Sequence, residues 1–100
     1  MQMFFFKIHQ KLGREVVAIC DSDILGKTFE EGDLFFEVKK SFYGENEINN
    51  EKVKELLMAA DNFNIVGKKI VALALELNII DVESIIKIKG VPHAQAIALW

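Results

Sequence analysis

The sequence predicts an α+β domain in two layers, a mixed or antiparallel sheet of about five strands with two main helices on one face. Three observations carry this. Phe4, Phe6 and Ile8 alternate with Phe5, Lys7 and His9 in the two-residue period of a strand. Val53, Leu56, Leu57 and Ala60, and then Val66, Ile70, Leu73, Ala74 and Leu77, recur at helical spacing. Short β-branched runs separated by glycine-bearing turns stand before and after that helical stretch.

Taken in order, residues 4–9 form a first strand, and Lys11-Leu12-Gly13-Arg14 supplies a turn into a second run, Glu15 to Cys20. Val16, Val17, Ala18 and Ile19 are apolar toward both faces, so the second strand belongs inside the sheet. Asp21-Ser22-Asp23 offers capping oxygens for one helical turn, which Gly26 can end in the left-handed conformation before Lys27 leads out. Leu34, Phe36 and Val38 alternate with Phe35, Glu37 and Lys39 as a third strand running into a turn or bulge at Ser41-Phe42-Tyr43-Gly44.

Asn49 caps a helix of residues 50–61, with Ile48 able to staple onto Val53. A second helix is expected from Ile65, capped by Asn64 and closed by Asn78 in the left-handed conformation. Because Val71, Ala72 and Leu75 make its other side apolar as well, this helix should be buried on most sides or sit at a subunit contact. Asp81 can cap one short turn, Ile86 and Ile88 then alternate with Lys87 and Lys89, Gly90-Val91-Pro92 turns the chain, and His93 to Trp100 reads as the last strand.

Composition bounds the function. A chain of 100 residues suits one domain spanning 1–100, with roughly 65% of the unfolded surface removed from water on folding. Net charge −3 excludes binding to nucleic acid through bulk positive charge, and no DNA partner is expected. With Cys20 the only cysteine, no intrachain disulfide or thiolate-rich zinc site can form, which points to a cytoplasmic protein. Lys7, His9 and Glu76 interrupt the apolar runs, so neither a signal peptide nor a membrane span is expected. Eight phenylalanines are a heavy load for one small core, and a homodimer is expected to hide part of them.

Cys20-Asp21, Leu25-Gly26-Lys27, Phe42-Tyr43-Gly44, Asn64-Ile65-Val66-Gly67 and Gly90-Val91-Pro92-His93-Ala94-Gln95, in this order, resemble the archaeal domain of unknown function 424 family over nearly the whole chain. The resemblance implies archaeal origin, a freestanding domain of about this length, and a role near RNA or the translation and ribosome machinery. Asn78, where relatives tend to have glycine, and the apolar N-terminus are the departures.

Three clusters carry candidate chemistry, and a fourth group is set aside. Asn64, Gly67, Lys68 and Lys69 stand at an expected helix N-terminus, where free N–H groups and two lysines would hold a phosphate; the same residues also serve as cap, packing glycine and wet face. Cys20 and His93, with Asp21, would supply a thiolate and a base if they met, although a cysteine ending a core strand usually packs as a small hydrophobe. His9, His93 and Asp21 lack metal-ligand spacing, and no metal or cofactor is expected. Lys27, Tyr43, His93 and Gln95 fall at strand ends and turns, where Tyr43 and His93 can stack on unpaired bases while Lys27, Lys68 and Lys69 neutralise phosphates. The leading expectation is a non-catalytic module binding RNA or a ribosomal component; the alternatives are a small enzyme using Cys20 and His93, and a homodimeric protein adaptor.

Overall fold

The structure, a computed structural model, describes residues 2–44 and 46–96. β1 (Met3–Lys11) and β2 (Arg14–Asp21) form the expected hairpin in full register, from Phe4 opposite Asp21 to Lys11 opposite Arg14. Leu12 and Gly13 turn it, both at positive φ (52° and 77°), the type I′ geometry whose twist matches that of paired strands. Period-2 alternation then sorts the side chains: Phe4 and Phe6 lie on one face of the sheet, and Phe5, Lys7 and His9 on the other.

After β2 comes a 3₁₀ turn at Ser22–Ile24, then a two-stranded hairpin of β3 (Thr28–Glu31) and β4 (Leu34–Glu37) turned at Gly32 and Asp33. The third strand read from the sequence is β4, and it pairs with β3 rather than joining the main sheet. Ser41-Phe42-Tyr43, expected as a turn, lies in a four-residue helix α1 (Lys40–Tyr43).

β5 (Asn46–Asn49) leads into α2 (Asn50–Ala59), and the Asn49 side chain accepts the Lys52 backbone N–H at 3.0 Å, the predicted cap. The second helix starts later than expected. Phe63, Ile65 and Val66 are buried in a strand, β6 (Phe63–Val66), and α3 (Lys68–Glu76) follows after Gly67. A short apolar run suits a buried strand as well as a helix start, and pairing on both sides, with β2 and β8, decides it. Asn78 closes α3 at φ 59°, with its N–H on the Leu75 carbonyl and the Ile79 N–H on the Ala74 carbonyl, a complete Schellman motif. After a 3₁₀ turn at Val82–Ser84, β7 (Ile86–Ile88) and β8 (Val91–Ala96) pair through a turn at Lys89 and Gly90. Residues 97–100 of the expected last strand lie outside the described residues.

The main sheet is mixed, six strands in the order β5-β1-β2-β6-β8-β7, with β2 and β6 its parallel pair. α2 and α3 cover one face, where Phe4, Val17, Ile19, Phe63 and Ile65 meet Val53, Leu57, Ile70 and Leu73. Helices this short are unstable alone in water, so this packing is what holds them. The opposite face is covered too: α1, Val38 and the β3–β4 hairpin bring Tyr43, Phe29, Phe36 and Phe42 onto Ala18, Cys20 and Val66. Among the described residues no helix is long and apolar enough to cross a membrane.

Candidate functional site

On the hairpin-covered face, three sequence-predicted residues converge. Asn64 in β6 stands across from Gln95 in β8, and one step along the same face Val66 stands across from His93. Tyr43, buried at the end of α1, donates its hydroxyl to Asn64 Oδ1 at 2.5 Å, and His93 Nε2 donates to the same oxygen at 2.9 Å. That oxygen has two lone pairs and both are used, so what Asn64 offers a ligand is its amide N–H₂.

Rings enclose this centre. Phe36 of β4 packs against His93 with centroids 4.7 Å apart, and Phe42 meets Tyr43 edge-on at 4.9 Å. β1 anchors α1 from beneath: His9 stacks on Phe42 at 4.4 Å and donates Nε2–H to its carbonyl at 2.8 Å, while Lys7 Nζ reaches the Ser41 carbonyl at 3.1 Å. Between β4 and α1 opens a cavity of about 220 Å³, lined by Phe36, Glu37, Lys39, Phe42, Tyr43 and Asn64. Sequence reasoning did not place Phe36, Phe42 or Lys39 in the site: Phe36 and Lys39 alternate along an expected strand, where a phenylalanine reads as core, and Phe42 was read only as part of a turn.

The buried imidazole and phenol beside the cleft are neutral near pH 7. Burial holds the His93 imidazole below its ordinary value, and burial, with Cys20 nearby, raises the Tyr43 phenol well above its own. The cleft therefore presents donors and aromatic faces, with Lys39 and Glu37 supplying charge where they line it.

Cys20 and His93 share one cross-strand row, Cys20 opposite Val66 and Val66 opposite His93, so two strand spacings of about 4.8 Å each part them. The Cys20 thiol is fully buried, and burial, reinforced by Asp21, pushes it up to about 12. It is a thiol, not a thiolate, at neutral pH, and is no ready nucleophile. Iodoacetamide at pH 7 is expected to leave the native protein unmodified and to label it only once unfolded; rapid labelling of the folded chain would show that the thiol is reached.

The α3 N-terminus is not an open anion site. Asn64 lies in mid-strand and cannot cap the helix, and Gly67 is the capping residue by position. The oxygens come from Asp21 at the end of β2, buried to 4% exposure, whose carboxylate accepts the N–H groups of Lys69 and Ile70, each at 2.9 Å. A phosphate arriving there would meet a carboxylate instead of free N–H groups. Lys68 and Lys69 are exposed beside it, on the helix side of the sheet end and apart from the cleft. Lys27 is exposed where its carbonyl accepts the Val38 N–H, and Gln95 is exposed next to Asn64. Asp21 was expected to cap the 3₁₀ turn that follows it, and makes no side-chain bond there. Its true partner is 48 residues away, and nothing local in the sequence marks it.

Comparison with known proteins agrees with this fold. A solved structure, of an uncharacterized conserved protein from Methanopyrus kandleri, is similar with a TM-score of 0.73 at 20% sequence identity, covering 93% of this chain and 89% of that one. No curated protein matches the chain. The profile of the family described as "Protein of unknown function (DUF424)" matches residues 9–99, and the chain belongs to that family.

Proposed function

We propose that this chain is a non-catalytic, cytoplasmic binding module, of archaeal type, that takes an unpaired RNA base in the cleft between β4 and α1. The observation that carries the reading is the Tyr43–Asn64–His93 constellation at a cavity of about 220 Å³ lined by two phenylalanine rings. Unpaired bases are recognised by stacking on aromatic rings and by hydrogen bonds to their edges. Phe36 and Phe42 supply rings, the Asn64 amide supplies donors, and Lys39 supplies a cation for the adjoining phosphate. A single cleft with one lysine also fits a chain of net charge −3, because the ligand is held by a base rather than by a long phosphate track. Exposed Gln95 and Lys27 extend the same side of the molecule.

The test is fluorescence anisotropy with a short labelled single-stranded RNA and the same sequence as duplex. Binding to the single strand is expected, weaker as salt rises, and absent or much weaker for the duplex. Phe36→Ala should weaken it about tenfold or more, the worth of one stacked base, and Lys39→Glu should both weaken it and reduce its salt dependence. Equal affinity for the duplex, or unchanged affinity in both variants, would reject the cleft.

A further inference from the structure

On the helix-covered face, independent of the cleft, α3 presents Lys68, Val71, Ala72 and Leu75 at positions i, i+3, i+4 and i+7 to an open groove of about 640 Å³. Val82, Ile85, Lys87, Gly90 and Pro92 form the rest of its lining, and Val82 is 70% exposed. The two lysines lie at one end. Lys87 pairs with Pro92, and the Pro92 carbonyl accepts the Gly67 N–H at 2.9 Å, which brings Lys87 and Lys68 to either side of Pro92. The groove is thus apolar along its length with a cationic end, and the helical stripe on one wall runs about 10 Å, seven residues at 1.5 Å each. Glu76 and Glu83 stand near the opposite end, outside the lining.

The matching shape is on the same molecule. α2 turns Glu51, Glu55, Met58 and Ala59 to solvent, two carboxylates in its first half followed by an apolar end; Glu51 to Met58 is the same seven-residue span, and Met58 is 64% exposed. Lys54 and Lys52 touch Glu51 and Glu55 only through exposed pairs at 3.9 and 3.5 Å, which hold those carboxylates weakly. Direction and position agree as well. β5 is antiparallel to β1, β1 to β2, and β2 is parallel to β6, so β5 and β6 point the same way. α2 returns from the end of β5 to the start of β6, and α3 leaves the end of β6, so the two helices run parallel to each other and against those strands. Across the face the order is α2 over β5 and β1, α3 over β2, β6 and β8, then the groove beside β7. A two-fold axis parallel to the strands and passing over α3 would lay α2 of one copy into the groove of the other, and the reverse, with Glu51 and Glu55 at the lysine end.

We propose that the occupant of this groove is α2 of a second copy, giving a symmetric dimer closed through the helix-covered faces with both RNA clefts turned outward. Sedimentation velocity on the full chain from micromolar to millimolar concentration tests it. A concentration-dependent dimer is expected, weakened at least tenfold by Met58→Glu or Val82→Glu, both at exposed positions that leave the fold intact by circular dichroism. Glu55→Lys and Lys68→Glu should each weaken it, and the two combined should recover most of the loss. A monomer throughout would overturn the proposal, leaving the groove to a different partner. A dimer indifferent to these substitutions, or a charge exchange that restores nothing, would overturn it equally.

Discussion

Gly67→Ala is expected to be the most damaging single methyl that can be added to this protein, lowering stability by about 3–5 kcal/mol. Two causes combine. Gly67 holds φ 126° and ψ 152°, a region essentially reserved for glycine, and forcing an L-residue there costs about 1–3 kcal/mol. A Cβ would also stand 2.4 Å from Asp21 Cγ and 2.6 and 2.7 Å from its two oxygens. The carboxylate cannot retreat without giving up the N–H groups of Lys69 and Ile70. For a domain of this size about 4–8 °C of melting temperature is lost per kcal/mol, so thermal unfolding should shift by more than 12 °C, roughly. The cause is separable by a double-mutant cycle in urea: in an Asp21→Ala background the same glycine substitution should cost only its backbone strain. Additive losses would show that the contact with the carboxylate is not what makes Gly67 necessary.

Where the sequence spoke clearly, the signal was local. The β1–β2 hairpin followed from alternation and a glycine turn, α2 from its cap and stripe, and the closure of α3 from an asparagine that tolerates the left-handed conformation. Each depends on residues within a few positions of one another. The parts that escaped are long-range. Phe63–Val66 is a strand because β2 and β8 lie on either side of it, and three apolar residues around Asn64 cannot say whether such neighbours exist. Thr28–Glu31 is too acidic to read as a strand, and it forms one because the turn at Gly32 folds β4 back onto it.

The site divides along the same line. Tyr43, His93 and Gln95 were visible as polar or aromatic residues at strand ends and turns, Asn64 only as the cap of a helix it does not cap, and the fold brings the four together. Phe36, Phe42 and Lys39 became legible only when the hairpin and α1 were seen to close over the second face. Conversely, Lys68 and Lys69 looked like phosphate ligands because the sequence around them resembles a free helix terminus, and a carboxylate from the end of β2 removes that freedom.

That carboxylate also makes the second large prediction. Asp21→Ala should cost about 2–3 kcal/mol, because it leaves the N–H groups of Lys69 and Ile70 at a buried helix end without acceptors, each such orphan costing about 1–3 kcal/mol before relaxation and water recover part of it. Asp21→Asn should cost less, since the amide oxygen keeps one N–H while its NH₂ faces the other. The two residues also differ in how stability responds to pH. Burial, opposed by the Lys69 and Ile70 N–H groups, raises the Asp21 carboxyl above its ordinary value of 3.8 in the folded state. The folded protein thus binds this proton more tightly than the unfolded chain does, so the contribution is fully present below 3.8 and is lost as pH rises through the raised value. Urea midpoints measured against pH should therefore show the wild type gaining on Asp21→Asn as pH falls through that window, with the gap constant near neutrality. A gap that instead narrows on acidification would mean that the two N–H bonds outweigh burial and hold the carboxylate ionised, which would make the charge itself, rather than the acceptor geometry, the element that ties β2 to α3.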